Sequence, residues 1–225
     1  IWIKELYTGI NQALKHFGGL ILGGDCSVGK EKIISMTIIG KQGKLKLRRY
    51  SSKPGDIILT TGIHGLSKLG LMIKRKQNFA SNISLTQTLI NRSLEQFCKP
   101  KLQPKFLENL NKSCTDKNIK KIGCTDSSDG LYQALLDLST ESNCKAIIDY
   151  FKIPKHKNWP EGTEWDEYYF FGGEDYELVF SLPKKWAKNL SKLDQNINEI
   201  GFFADGEPSI EFKDNKKNKL FNDTP

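Results

Sequence analysis

Ile122-Gly123-Cys124-Thr125-Asp126-Ser127-Ser128-Asp129-Gly130-Leu131 is the stretch on which the fold turns. A short apolar run stops at two aspartates and two serines, and Leu131, Leu135 and Leu138 then recur at helical spacing. That pattern predicts a strand, a tight turn and an amphipathic helix. The helix mouth carries unpaired N–H groups and partial positive charge, which suit a phosphate, whereas two carboxylates beside it suit a divalent cation. Together they point to a metal–nucleotide site. The plain alternative is an N-cap serine followed by an Asp-Gly turn, and the stretch read alone favours that alternative, so other stretches must decide.

Outward from this stretch, the composition narrows the field. The 225 residues suffice for one large domain or two small ones. No apolar run approaches the length of a bilayer span, and no secretory leader is visible, so the expectation is a soluble protein with no membrane partner. Five cysteines have no C-x-x-C spacing, and the three histidines do not cluster with them. Zinc and a disulfide framework are disfavoured, and a reducing cytoplasm is expected. The net charge of +8 comes from lysines scattered along the chain rather than a basic stripe with stacking aromatics, so no nucleic-acid partner is expected. The densest run, Lys213 to Lys219, lies in a polar tail.

Trp2, Leu6, Ile10, Leu14 and Phe17 make a helical stripe ended by Gly18-Gly19. The chain opens on Ile1, inside this stripe, which predicts a missing upstream part. Leu20 to Leu22 reads as a strand, and Ile33 to Ile39 and Lys44 to Arg49 as two more joined in a hairpin across Gly40–Gly43. A composition shift at Ser51–Lys53 marks the domain boundary, giving 1–50 and 51–225. Ile57–Thr61 is a buried strand followed by a helix after Gly62–Ser67, with His64 as a turn residue. Further helices are expected near 86–97, 104–112 and 184–193, and strands at 145–150, 178–182, 197–203 and 208–212. Trp165, Tyr168, Tyr169 and Phe170 read as core. Glu174, Asp175 and Glu177 crowd a Gly-Gly turn, where like charges repel unless they are solvated, paired or holding a cation.

Gly23-Gly24-Asp25, Lys53-Pro54-Gly55-Asp56, Thr61-Gly62 with Gly65, Ser67, Gly70 and Leu71, the Asp126–Leu131 stretch and Gly172-Gly173-Glu174-Asp175-Tyr176-Glu177-Leu178 stand in one register. From about Trp2 onward this order resembles thiamine-monophosphate kinase, of the group resembling aminoimidazole ribonucleotide synthetase. The resemblance implies an α/β (α+β) fold: a remnant of an N-terminal ATP-binding half in 1–50, and a complete C-terminal α/β sandwich in 51–225. It implies Mg2+-dependent transfer of the ATP γ-phosphoryl group to thiamine monophosphate, giving thiamine diphosphate. By it Gly24, Asp25, Arg49 and Ser128 contact ATP, and Asp25, Asp126 and Asp129 hold metal. Asp129, Asp126 and Arg49 carry the catalysis, and Glu174 and Phe221 contact the thiamine phosphate. The resemblance also implies a homodimer built through the N-terminal half, of which this chain carries only a part.

The sequence departs from that pattern in instructive places. The family's N-terminal Gly-Asp-Asp metal motif and aspartate-threonine metal cluster are absent. Cys26 and Ser27 stand where the pattern has threonines, and no histidine follows His156 to complete the usual C-terminal ending. The chain therefore resembles a truncated or split member. Two rival readings stay open: a fragment that is inactive or needs a separate N-terminal polypeptide, and another ATP-using relative of the same group, against which the Glu174 and Tyr176 motif speaks.

Overall fold

Ile58 and Leu59 are neighbours in sequence but pack into different hydrophobic clusters, and so do Val179 and Phe180. Side chains alternate across a strand, so a run with no polar residues needs cover on both faces. A computed structural model, which describes residues 2–76, 84–101, 105–116 and 120–214, provides that cover. The chain divides into two compact units, 1–42 and 43–225.

In the first unit, α1 spans Trp2–Phe17 and ends at Gly18, whose amide donates to the Leu14 carbonyl at 2.8 Å. Gly18 and Gly19 both adopt positive φ, the backbone geometry that glycine tolerates at a helix end. The strands expected at Leu20–Leu22 and Ile33–Ile39 are not formed, nor is the hairpin across Gly40–Gly43. β-branched residues favour extended backbone, but a strand exists only where a ladder satisfies its N–H and C=O groups. Residues 18–42 have no such ladder, and Leu22 and Ile38 are 82% and 88% exposed.

The second unit is built on a mixed sheet. Its elements in order are β1 (Lys46–Arg48), β2 (Ile57–Thr61), α2 (Leu66–Lys74), α3 (Gln87–Cys98), α4 (Phe106–Ser113), β3 (Lys121–Asp126), α5 (Leu131–Ser142) and β4 (Lys145–Ile148). They continue through α6 (Thr163–Phe171), β5 (Leu178–Leu182), α7 (Lys184–Leu193), β6 (Ile197–Ala204) and β7 (Ser209–Phe212). The seven strands run β1-β3-β5-β2-β6-β4-β7. β1 is parallel to β3 and β4 to β7; the other pairs are antiparallel.

One face packs Ile58, Val179, Ile200 and Phe203 under Leu66 and Leu69 of α2, Leu131, Leu135 and Leu138 of α5, and Trp165, Tyr169 and Phe170 of α6. The opposite face packs Leu59, Ile122, Phe180 and Leu182 against Phe106 and Leu110 of α4 and Trp186 and Leu190 of α7. The result is an α/β sandwich of three layers. The leucine stripe read from the sequence is fully buried, each residue contributing about 1.5–3 kcal/mol relative to exposure. Helix α6 was not foreseen, because its acidic residues cluster at Glu164, Asp166 and Glu167 and its aromatic ones run consecutively from Tyr168 to Phe171, which leaves no helical period to read.

Topology brings three strand ends to one edge. β5 lies between β3 and β2 and is antiparallel to both, so Asp126 at the end of β3 and Thr61 at the end of β2 flank the start of β5 at Leu178. α2 and α5 both begin at this edge.

Candidate active site

The Asp126–Gly130 turn and the Gly172–Glu177 loop are pinned to each other by backbone. The Glu174 amide donates to the Ser128 carbonyl at 2.9 Å, and the Ser127 amide to the Glu177 carbonyl at 2.8 Å. Two glycines make the approach feasible. A Cβ on Gly173 would lie 2.2 Å from the Ser128 oxygen, and one on Gly130 would meet the Phe170 carbonyl at 2.8 Å. Gly130 also has φ of 99°, a conformation closed to most L-residues. Asp126 is half-buried, Ser128 is half-buried, and Asp129 and Glu174 are exposed, so one surface carries all four. Ser127 is buried with no hydrogen-bond partner for its Oγ, and no side chain caps the start of α5.

The three carboxylates that the sequence groups together separate into different roles. Glu174 and Tyr176 adopt left-handed backbone, with φ of 68° and 54°, and face outward. Asp175 and Glu177 are buried. Asp175 Oδ2 and Oδ1 accept from the Gly65 and Ser67 amides at 2.5 and 2.8 Å, so its carboxylate occupies the start of α2. Burial nevertheless pushes its carboxyl up to about 6. Glu177 Oε2 accepts from the Thr61 hydroxyl at 2.5 Å, and Thr61 Oγ1 in turn accepts from the Leu178 amide at 2.8 Å. Burial pushes the Glu177 carboxyl up to about 7. The Asp175 and Glu177 roles were missed by the sequence reading. Extending the alternation of β5 backward from Val179 would have placed 177 and 175 inward and 176 and 174 outward.

His64, read as a turn residue, is buried with Nε2 2.6 Å from the Thr60 hydroxyl. Burial holds its ring neutral, down to about 3.

Arg49 lies in a 3-10 turn, Arg49–Ser51, against β3 and α5. Its Nε donates to Thr125 Oγ1 at 3.1 Å and its guanidinium pairs with Asp137 at 3.2 Å. Ser142 Oγ, near the end of α5, donates to the Arg49 carbonyl at 2.9 Å. Arg49 therefore reaches the strand that carries Asp126, but through the neighbouring residue and with a carboxylate partner already engaged. Gly24 and Asp25 belong to the first unit, where Asp25 is exposed and accepts the Cys26 amide at 2.8 Å. Phe221 lies outside the described residues. Asp126, Ser128, Asp129 and Glu174 are thus brought together. Among the described residues, no three His, Cys, Asp or Glu side chains gather as a metal cage.

A family profile described as AIR synthase related protein, C-terminal domain, matches residues 53–210, which defines the class of this domain. The thiamine-monophosphate kinase of Prochlorococcus marinus is 40% identical over 205 residues, covering 91% of this chain and 62% of that protein. That of Buchnera aphidicola subsp. Schizaphis graminum is 30% identical over 232 residues, covering 98% of this chain and 67% of that protein. The chain belongs to the thiamine-monophosphate kinase family. It spans 62% and 57% of the lengths of the Prochlorococcus and Synechococcus elongatus relatives. Among solved structures, the thiamine-monophosphate kinase of Stenotrophomonas maltophilia K279a superposes with a TM-score of 0.60 at 21% identity, over 74% of this chain and 52% of that one. AaThiL complexed with AMPPCP and TMP gives 0.55 at 22%, over 74% and 50%. These two likenesses bear on the fold. No helix among the described residues is long and apolar enough to cross a membrane.

Proposed function

We propose that the chain provides the C-terminal part of an ATP:thiamine-monophosphate phosphotransferase. The observation that carries this reading is the backbone pinning of the Glu174 loop to the Ser128 turn, which gathers two aspartates, a serine and a glutamate on one surface. Family membership and the relatives' names supply the substrate class.

Two polyanions must meet, so the obstacle is charge repulsion rather than a weak nucleophile; the acceptor phosphate oxygen already bears negative charge. Asp126 and Asp129 are hard oxygen donors, and two carboxylates suit Mg2+, which usually keeps waters and takes substrate phosphates for its remaining positions. When bound, the ion supplies charge neutralisation between the phosphates. Asp126 and Asp129 would hold it, and the family resemblance gives a metal-holding role to Asp25 as well. The start of α5 at Leu131, next to the turn that carries Ser128, would offer N–H groups to phosphate oxygens. Gly24 would let backbone approach the nucleotide, and Arg49 would bind phosphate on leaving Asp137. Glu174 would contact the thiamine phosphate, as would Phe221. No side chain needs to move a proton. The proposed setting is cytoplasmic, with domains 1–50 and 51–225.

The test is formation of thiamine diphosphate from ATP and thiamine monophosphate by the purified chain, with and without magnesium. Product that disappears with excess chelator supports the reading; no product in any condition overturns an independently active kinase. A second reading is a fragment that needs a separate N-terminal polypeptide; the chain spans 62% and 57% of the lengths of the Prochlorococcus and Synechococcus relatives. Turnover by the chain alone would end that reading. Turnover appearing only when the N-terminal third of a relative is added would establish it.

A further inference from the structure

Tyr176 is an aromatic residue in left-handed backbone, with φ of 54°, two positions after Glu174 at 68°. Each such residue costs on the order of 1–3 kcal/mol and persists only where the surroundings over-determine it. Here the surroundings do so, because Asp175 is locked into the start of α2 and Glu177 to Thr61, on either side of Tyr176. The backbone is held in this geometry, and the outcome is that Tyr176 stands outward, 38% exposed, with its hydroxyl donating to Glu174 Oε2 at 2.7 Å. Nothing in the core requires that ring.

We infer that Tyr176 is a positioning residue for the acceptor subsite, holding the Glu174 carboxylate in one orientation toward the positively charged organic part of the acceptor. This rests on the phosphotransferase reading. A carboxylate on an exposed loop samples several rotamers, and ordering it at the moment of binding costs affinity; a hydrogen bond present beforehand removes part of that cost. The phenol is raised above its ordinary range by its hydrogen bond to Glu174, with the charges of Glu174 and Asp126 adding to the effect. It therefore stays a donor through neutral pH, and it lies within reach of the charge of Asp126. Because one Oε2 lone pair is engaged by the phenol, Oε1 is left for a cationic or N–H-bearing ligand.

The discriminating variant is Tyr176→Phe, which keeps the ring and removes only the donor. The expected result is a rise of about tenfold in KM for thiamine monophosphate, with kcat and KM for ATP changed less than about twofold and the thermal midpoint unmoved. The double variant Glu174→Gln, Tyr176→Phe should be no worse than Glu174→Gln alone, because the tyrosine acts through the glutamate. An unchanged KM in Tyr176→Phe, or multiplicative losses in the double variant, overturns the inference while leaving the kinase reading intact. If the parent chain forms no product, calorimetric binding of thiamine monophosphate, in the presence of magnesium and a non-hydrolysable ATP analogue, replaces KM. Binding weakened about tenfold by Tyr176→Phe then supports the inference even though turnover fails, and absence of binding by the parent overturns both.

Discussion

The Glu174 amide and the Ser128 carbonyl, 46 positions apart in sequence, meet at 2.9 Å and join the two loops of the candidate site. The Gly173 Cα hydrogen faces that same carbonyl, where a Cβ would sit at 2.2 Å. Gly173→Ala must push the loops apart, and the neighbour is backbone, which yields poorly. The expected cost is about 1–3 kcal/mol of stability, measured by denaturant unfolding, together with weakened acceptor binding.

Asp129 is exposed. Asp129→Asn should leave the unfolding midpoint within error. If the residue holds the ion between the phosphates, turnover should fall about 100-fold or more, roughly 2.7 kcal/mol of barrier. Steady-state kinetics with ATP and thiamine monophosphate, at saturating magnesium, separates the two readouts.

Glu177 and Asp175 give the stability a pH signature. Both carboxyls are raised by burial, to about 7 and about 6, so each holds its proton longer in the folded chain than in the unfolded one. The contribution is full below the ordinary carboxyl range and is lost as pH rises toward about 7. His64 works the other way: its folded value is depressed to about 3, so stability falls as pH drops below its ordinary value near 6.5. Comparing variants separates the trends. Between about pH 5 and pH 7.5 the parent should lose roughly 1–3 kcal/mol more stability than Glu177→Gln. Equal slopes in chemical denaturation at the two pH values would show that Glu177 does not titrate in that window.

The Arg49–Asp137 pair is half in solvent, its arginine side chain 52% exposed. Such pairs contribute about 0–1 kcal/mol. Asp137→Asn should therefore change stability by less than about 1 kcal/mol. On the phosphate-binding reading it frees the guanidinium, so ATP should bind as tightly or more tightly, whereas Arg49→Ala should weaken it. Looser ATP binding in Asp137→Asn, read by calorimetry, would remove Arg49 from the nucleotide site.

The β3–turn–α5 unit was legible because its cues are local: an apolar run, acids at a turn, and leucines at 131, 135 and 138 that all proved to be fully buried. Lys145, Leu178 and Lys184 likewise open elements where pattern placed them. What stayed hidden depends on partners remote in sequence. Ile33–Ile39 has every intrinsic preference of a strand and no ladder among residues 18–42 to complete it. Asp175 looks like a ligand until Gly65 and Ser67, about 110 positions earlier, are seen to claim both its oxygens. Arg49 has the charge for a phosphate, yet only the fold reveals Asp137 as its present companion.

The capture of α2 by Asp175 also gives this edge of the sheet a polarity. Two helices start there, and each would ordinarily draw an anion with its partial positive charge. One of these charges is already cancelled from within by a buried carboxylate, while no side chain caps the other. On the phosphotransferase reading, a polyanion arriving at this edge would find the start of α2 taken and that of α5 without a side-chain cap, which would favour one direction of lying down over the other.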